Sequence, residues 1–290
     1  MTSGFCLTQA IRRAVAIKPD APGVIDGAFA FTWRSFADRV ARLAAAFIEL
    51  GVRPGDRIVL LALNSHRTLE CFYAAMWAGG VIVPLNHRLG QGEIVAQVND
   101  CSPKLIMLGP DFVSLALVLR DESLANHRDM VHCAAGQAPD GFLAYEDLIA
   151  AHQPVDDAGR CDNDLACLLY TSGTTSAAKG VMLSHANFCA NTASVAPELG
   201  MDQDTVHLHH GPLFHVASAA RLFSTTHVAG THVFLPRFVA SEVVAEVVRS
   251  RVTHATFVPT MFRMLLDDPS PRPWSRHGLC HRRGDACLDL

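Results

Sequence analysis

Apolar and polar positions along this chain switch repeatedly between a helical period and short, almost wholly apolar runs. In WRSFADRVARLAAAFIEL (33–50), Phe36, Val40, Leu43, Phe47 and Leu50 fall on one face at helical spacing. The segment predicts a helix that Thr32 can cap at its start and Gly51 at its end. RPGD then reads as a turn and RIVLLAL (57–63) as a short strand, apolar enough to need cover on both faces, as strands of parallel sheets do. HRTLECFYAAMWAGG (66–80) predicts a helix stopped by paired glycines, VIVPLN (81–86) a strand, GEIVAQVND (92–100) a helix and KLIML (104–108) a strand. This β-α-β-α-β order calls for a parallel sheet flanked by helices.

Patterning weakens over 109–160, where APDG (138–141) reads as a turn, and a soft boundary is expected near 150–163. Alternation then resumes. LACLLY (165–170) predicts a strand, with a helix from about Ser184; VHLHH (206–210) predicts a strand and HVASAARLFSTTHVAG (215–230) a helix. THVFLP (231–236) reads as strand, SEVVAEVVRSRV (241–252) as a helix with Ser241 as its cap, THATFVP (253–259) as strand and TMFRMLLDD as helix. There is no internal repeat and no low-complexity segment.

Composition narrows the classes without choosing among them. The 290 residues are 50% hydrophobic and 18% charged with a net charge of −4, which fits a globular α/β protein with ample core. No basic stripe points to nucleic acid. The N-terminus lacks the apolar core of a secretory leader, and no apolar run is long enough to span a bilayer. Nine cysteines in no regular spacing suggest free thiols in a reducing, cytoplasmic setting rather than a disulfide framework.

The chemistry concentrates in LLYTSGTTSAAKGVMLSHANF (168–188). Thr171, Ser172, Gly173, Thr174 and Thr175 follow the strand, and Lys179-Gly180 closes the loop. Gly173 permits close backbone approach to a ligand, successive N–H groups and hydroxyls can ring an anion, and Lys179 can add a point charge. That suits a polyphosphate, although the lysine precedes the glycine, so the loop is not a Walker A motif. The composition alone fits a solvated Ser/Thr/Gly turn equally well. His207, His209, His210 and His215 match no zinc spacing. Arg221 reads as a solvated or structural charge, and the cysteines as core residues.

Tyr170-Thr171-Ser172-Gly173-Thr174-Thr175, Lys179-Gly180-Val181 and Ser184-His185-Ala186-Asn187 closely resemble the signature loop of the adenylate-forming (AMP-binding) superfamily, which includes the acyl-CoA synthetases. Ser176 stands where that loop has Gly and Ala178 where it has Pro, changes that alter stiffness without removing a side-chain donor. Gly79–Asn86, Gly211-Pro212-Leu213-Phe214-His215 and Val252–Thr260 resemble further segments of the family in the same order.

The resemblance implies an α/β fold: the N-terminal portion of the family's large domain, two helix-flanked, mainly parallel sheets, with the C-terminal part missing. A first α/β subdomain is expected over 1–160, the start of a second with the phosphate loop over 161–268, and an aberrant, frameshifted or disordered tail over 269–290. The implied reaction is ATP-dependent activation of a carboxylic acid, expected to be fatty, as acyl-adenylate, followed by transfer to coenzyme A. An aryl or other small-acid ligase and an inactive nucleotide-binding fragment are the alternatives. Thr171, Ser172, Gly173, Thr174, Thr175 and Lys179 would hold ATP, Thr174 would lie nearest Mg²⁺, and His215 would line the acid pocket. The family's catalytic lysine is not found in this sequence, so no catalytic residue is assigned.

Overall fold

The computed structural model describes residues 4–122, 129–171 and 179–268. In chain order the first half holds α1 (Gln9–Ile17), β1 (Pro22–Asp26), β2 (Phe29–Thr32), α2 (Trp33–Glu49), β3 (Arg57–Leu61), α3 (His66–Trp77), β4 (Val81–Pro84), α4 (Gln91–Cys101), β5 (Leu105–Leu108), α5 (Val113–Glu122), β6 (Asp129–His132), β7 (Leu143–Ala144) and α6 (Tyr145–Ala151). The second half holds β8 (Leu165–Thr171), β9 (Lys179–Ser184), α7 (His185–Glu198), β10 (Val206–His209), α8 (Val216–His227), β11 (Thr231–Phe234), α9 (Ala240–Arg249), β12 (His254–Ala255) and α10 (Pro259–Asp267).

Two sheets form, a seven-stranded one ordered β7-β6-β5-β3-β4-β8-β9 and a five-stranded one ordered β12-β10-β11-β1-β2. Their pairings are parallel except at the β1/β2 and β8/β9 hairpins. The mixed, mainly parallel architecture matches the sequence expectation. Sheet membership crosses residue 160 in both directions: β1 pairs with β11, and β4 pairs with β8.

Alternation along the strands makes the layers. In β3, Ile58 and Leu60 face one core cluster while Val59 and Leu61 face another. The first cluster is central and joins both sheets to α1, α2, α3 and α8. The second lies under α4 and α5, and a third, built on Leu208, Val233 and Leu235, lies under α9 and α10. The result is helix, sheet, helix, sheet, helix.

Caps explain several element starts. The Thr32 hydroxyl accepts from the Ser35 N–H at 3.1 Å, and Ser65 accepts from Thr68 N–H at 3.3 Å. Ser184 and Asn187 form a reciprocal capping box at α7. Ser241 does not cap α9: the helix begins at Ala240, after a Val239 whose side chain makes no cap bond. α3 is buried nearly all round because it runs between the sheets. Its Glu70 is fully buried, yet Arg39 binds it through two nitrogens at 2.6 and 3.1 Å and the Tyr145 hydroxyl donates to it at 2.7 Å. A buried carboxylate requires such partners.

Cys6 and Cys161 form a disulfide, their Cα atoms 4.4 Å apart, which corrects the expectation of thiols alone. A pairing across 155 residues leaves no mark in local spacing. The segments also share backbone bonds, Phe5 N–H to the Asp162 carboxylate and Asp162 N–H to the Phe5 carbonyl. Cys71, Cys101, Cys133 and Cys167 are buried core residues outside the disulfide, as expected. Among the described residues no helix is long and apolar enough to cross a membrane.

Candidate functional site

The carboxyl ends of the parallel strands gather at one edge. Just after β3, the Asn64 side-chain amide donates to the Gly211 carbonyl at 2.8 Å, and its backbone N–H donates to the Pro236 carbonyl at 3.3 Å. The turns after β3, β10 and β11 are thereby joined across the two sheets. Just after β4, His87 packs edge-on against Phe214, with ring centroids 5.2 Å apart, and Phe214 packs against His215 at 4.5 Å. A crevice outside the carboxyl ends of an α/β sheet is where such folds bind ligands.

β8 runs parallel to β4, so Thr171 reaches this same edge. Lys179 pairs directly with Thr171 across the β8/β9 hairpin. Both residues are exposed. The expected strand-to-helix loop is therefore a hairpin loop, with β9 between the loop and α7. β9 keeps an edge position with Val181 and Met182 exposed, so it lacks the apolar run by which the other strands announce themselves. Ser172, Gly173, Thr174 and Thr175 lie outside the described residues, and so does the expected Mg²⁺ contact at Thr174.

His215 is the N-terminal flanking residue of α8 and is exposed at the edge. Desolvation, then the nearby Arg88 charge, lowers its pKa and favours the neutral ring. Among the described residues no group of three or more His, Cys, Asp or Glu side chains is arranged to hold a metal.

The histidines of β10 divide by face. His207 and His209 stack at 4.5 Å, as their alternation predicts. His209 Nε2 meets His232 Nδ1 at 3.0 Å, and His232 Nε2 meets the Thr226 hydroxyl at 3.0 Å, so these two imidazoles complete each other inside the core. His210 lies on the other face between the rings of Phe238 and Phe257. Burial lowers all four, His210 to about 4 and His232 to about 3.

Of the two readings of Arg221, solvated or structural, the structure matches the second. The residue is 8% exposed, and Asn191 of α7 accepts from its Nη2 at 3.1 Å. Its position on α8, three residues after Ser218, turns it toward β10, where both residues line a shallow cleft with His207, Leu208, His209, His210 and Thr256. Sequence reasoning also missed Asn64, His87 and Phe214. Their roles come from meeting across sheets, and only the Pro-Leu-Phe-His motif hinted at one of them.

Two mainly parallel sheets, each edged by one antiparallel hairpin and joined at the carboxyl ends of their strands, define an α/β protein with a crevice where such folds bind ligands. The chain belongs to the AMP-binding enzyme family, whose model matches residues 11–283. It is 34% identical over 260 residues to a feruloyl-CoA synthase from Amycolatopsis sp, covering 89% of this chain and 50% of the relative. It is 32% identical to the peroxisomal benzoate–CoA ligase of Arabidopsis thaliana, covering 93% and 50%. The fold is that of the Mycobacterium tuberculosis fatty acyl CoA synthetase (TM-score 0.82, 22% identity, covering 91% of this chain and 51% of that one). It is likewise that of ATP-bound MatB from Rhodopseudomonas palustris (TM-score 0.79, 25% identity, covering 92% and 52%). The chain spans about half the length of the curated relatives it matches.

Proposed function

We propose that this chain carries the nucleotide loop and part of the acid pocket of an ATP-dependent acid–thiol ligase. The reading rests on one observation above all. The residues that bound the signature loop, Thr171 and Lys179, are paired and exposed at the joined carboxyl edge, on the same rim as His215.

In the first half-reaction a carboxylate oxygen attacks the α-phosphorus of ATP. The bond to the bridging oxygen breaks, and pyrophosphate leaves with the electron pair. A coenzyme A thiolate then attacks the acyl carbon and AMP departs. The chain's contribution is to hold and orient these groups, with the Lys179 ammonium and Thr171 hydroxyl set against developing phosphate charge. His215, neutral and packed on Phe214, bounds the path between acid and nucleotide. Thr174 is the proposed neighbour of Mg²⁺, which would neutralise phosphate charge when bound.

A fatty acid is the substrate class suggested by the overall resemblance. A smaller or aryl acid is the second reading, supported by the likeness to the feruloyl-CoA synthase and the benzoate–CoA ligase. Acid-dependent ATP–pyrophosphate exchange by the purified chain tests the proposal. Exchange with at least one acid supports it. A folded chain that binds ATP without exchange with any acid is instead a nucleotide-binding fragment.

A further inference from the structure

The N-terminal segment is fastened to the root of the β8/β9 hairpin, the strand pair that carries Thr171 and Lys179 at its far end. At that root Leu165 of β8 pairs with Ser184 of β9. The Cys6–Cys161 disulfide lies just before β8. Backbone contacts surround it. Phe5 N–H donates to the Asp162 carboxylate at 2.8 Å, and the Phe5 carbonyl accepts from Asp162 N–H at 3.0 Å. Leu7 N–H donates to Nδ1 of His185, the first residue after β9, at 3.3 Å. The Asp162 and Asp164 carbonyls accept from the N–H groups of Ala186 and His185 at 2.8 and 3.0 Å. Residues 5–7, 161–164 and 184–186 thus form one tied corner.

The hairpin depends on that corner because the sheet holds it lightly. β9 is an edge strand, and β8 registers with β4 at the Ile82–Cys167 pair. Near the far end the Tyr170 hydroxyl donates to the Asp100 carboxylate at 2.5 Å, a tie independent of the corner. The disulfide is also open to exchange. Cys161 is half-buried at the surface and Cys6 is 8% exposed, so an external thiolate meets the Cys161 sulfur first. Cys189 stands one turn beyond His185 on α7. Burial, then the nearby Asp162 charge, pushes its thiol up to about 11, so it stays protonated and does not attack.

From this placement we infer that Cys6–Cys161 is a reversible thiol–disulfide latch on the β8/β9 hairpin, holding its root when closed and weakening nucleotide binding when open. The link to nucleotide rests on the ligase reading above. A small thiolate such as glutathione attacks Cys161 Sγ. The S–S bond breaks, and Cys6 leaves with the electron pair and takes up a proton. A second thiolate attacks the sulfur of the first in the mixed disulfide, releasing Cys161 as a thiolate that is then protonated and the two small thiols as their own disulfide. Glutathione disulfide reverses both steps. Opening frees residues 4–7 from Asp162 and His185. α1 stays docked on α8, where Arg13 donates to the His227 carbonyl at 2.6 Å, so Cys6 remains within reach for re-closure.

The test compares the full chain before and after a phosphine reductant, by hydrogen exchange read with mass spectrometry. Amides of 4–7, 161–164 and 184–186 should exchange at least about tenfold faster after reduction, with β3 and β5 unchanged. Glutathione disulfide should restore the slow rates. Cys6→Ser and Cys161→Ser should exchange at the open rate with or without reductant. Alkylation of both Cys6 and Cys161 in the denatured, unreduced chain overturns the latch. So do equal exchange in the two forms, slow rates that glutathione disulfide does not restore, or a reductant response that persists in Cys161→Ser. Lost protection that includes β3 and β5 makes the bond a global staple and overturns it too. Calorimetry with ATP on the same two samples should show at least about fivefold tighter binding by the closed form. Equal ATP affinity keeps the ligase reading and overturns control by the latch. ATP binding by neither form, with the exchange difference intact, removes the ligase reading and keeps the latch.

Discussion

At the residue scale, the same side-chain type takes opposite roles according to its partners. Arg39 has two carboxylates and is a fixed structural charge, while Arg221 has an amide and a cleft. Lys179 is exposed at the loop's closing end, where a polyphosphate would be its counter-charge. A hydrogen bond to a charged group contributes about 1.5–3 kcal/mol, so Lys179→Ala should weaken ATP binding by about 10- to 100-fold. Melting temperature should stay the same, since no core contact is lost. Calorimetry with ATP and a melt of the same variant check this, and unchanged ATP affinity would remove Lys179 from the site.

At the element scale, α8 connects the core to the site. Its buried face carries Phe223, which packs on Phe188 at 4.6 Å, Tyr73 at 5.8 Å and Phe72 at 6.3 Å. Its N-terminal turns carry Ser218 and Arg221 into the cleft, with His215 at the helix start. Phe223→Ala should cost about 3–5 kcal/mol, because the rings around it belong to α3 and α7 and cannot close the cavity together. Urea unfolding measures that loss, and a change below about 1 kcal/mol would mean that α8 is not anchored as described.

At this scale the limits of the sequence are also plain. The periodic segments α2, α3, β3, β4, β5 and α7 were legible because their apolar spacing is set by the surface each one buries. β9 was not, because an exposed edge strand has no apolar face to repeat. β1, β2 and α1 lay before the first clear pattern. β12 is only His254–Ala255, although the run from 253 to 259 reads as a longer strand. Pairing to β10 ends after Leu208 and Ala255, and Pro259 begins α10.

At the scale of the whole molecule, buried neutral histidines make stability depend on pH. Burial lowers His210 and His185 to about 4 and His232 to about 3, and lowers His207 and His209 in the same direction. Around the β10 rings stand His232, His254 and Arg221, all of which oppose further positive charge. The unfolded chain takes up protons near pH 6.5 while the folded one does not, so stability is full above that pH. It falls as pH drops from about 6.5 toward 4, at about 1.4 kcal/mol per pH unit of displacement for each ring. The melting temperature should therefore decline steadily across that window, and His210→Phe should flatten the slope. A flat profile from pH 7 to 4 would contradict the buried, neutral state of these rings.

The sequence by itself determined the alternating α/β order, the loop from Thr171 to Lys179 and the family that its motifs resemble. Those features are local: periodicity, capping and motif spacing are each settled within a few turns of chain. Tertiary structure alone decided that β1 joins β11 across some 200 residues, that Cys6 meets Cys161, and that Asn64 and His87 bridge the two strand edges. It also decided that Arg221 is buried, with no carboxylate paired to it among the described residues. A charge on an amphipathic helix looks solvated until the strand packed against it is known, because burial belongs to the pair of surfaces and to neither sequence alone.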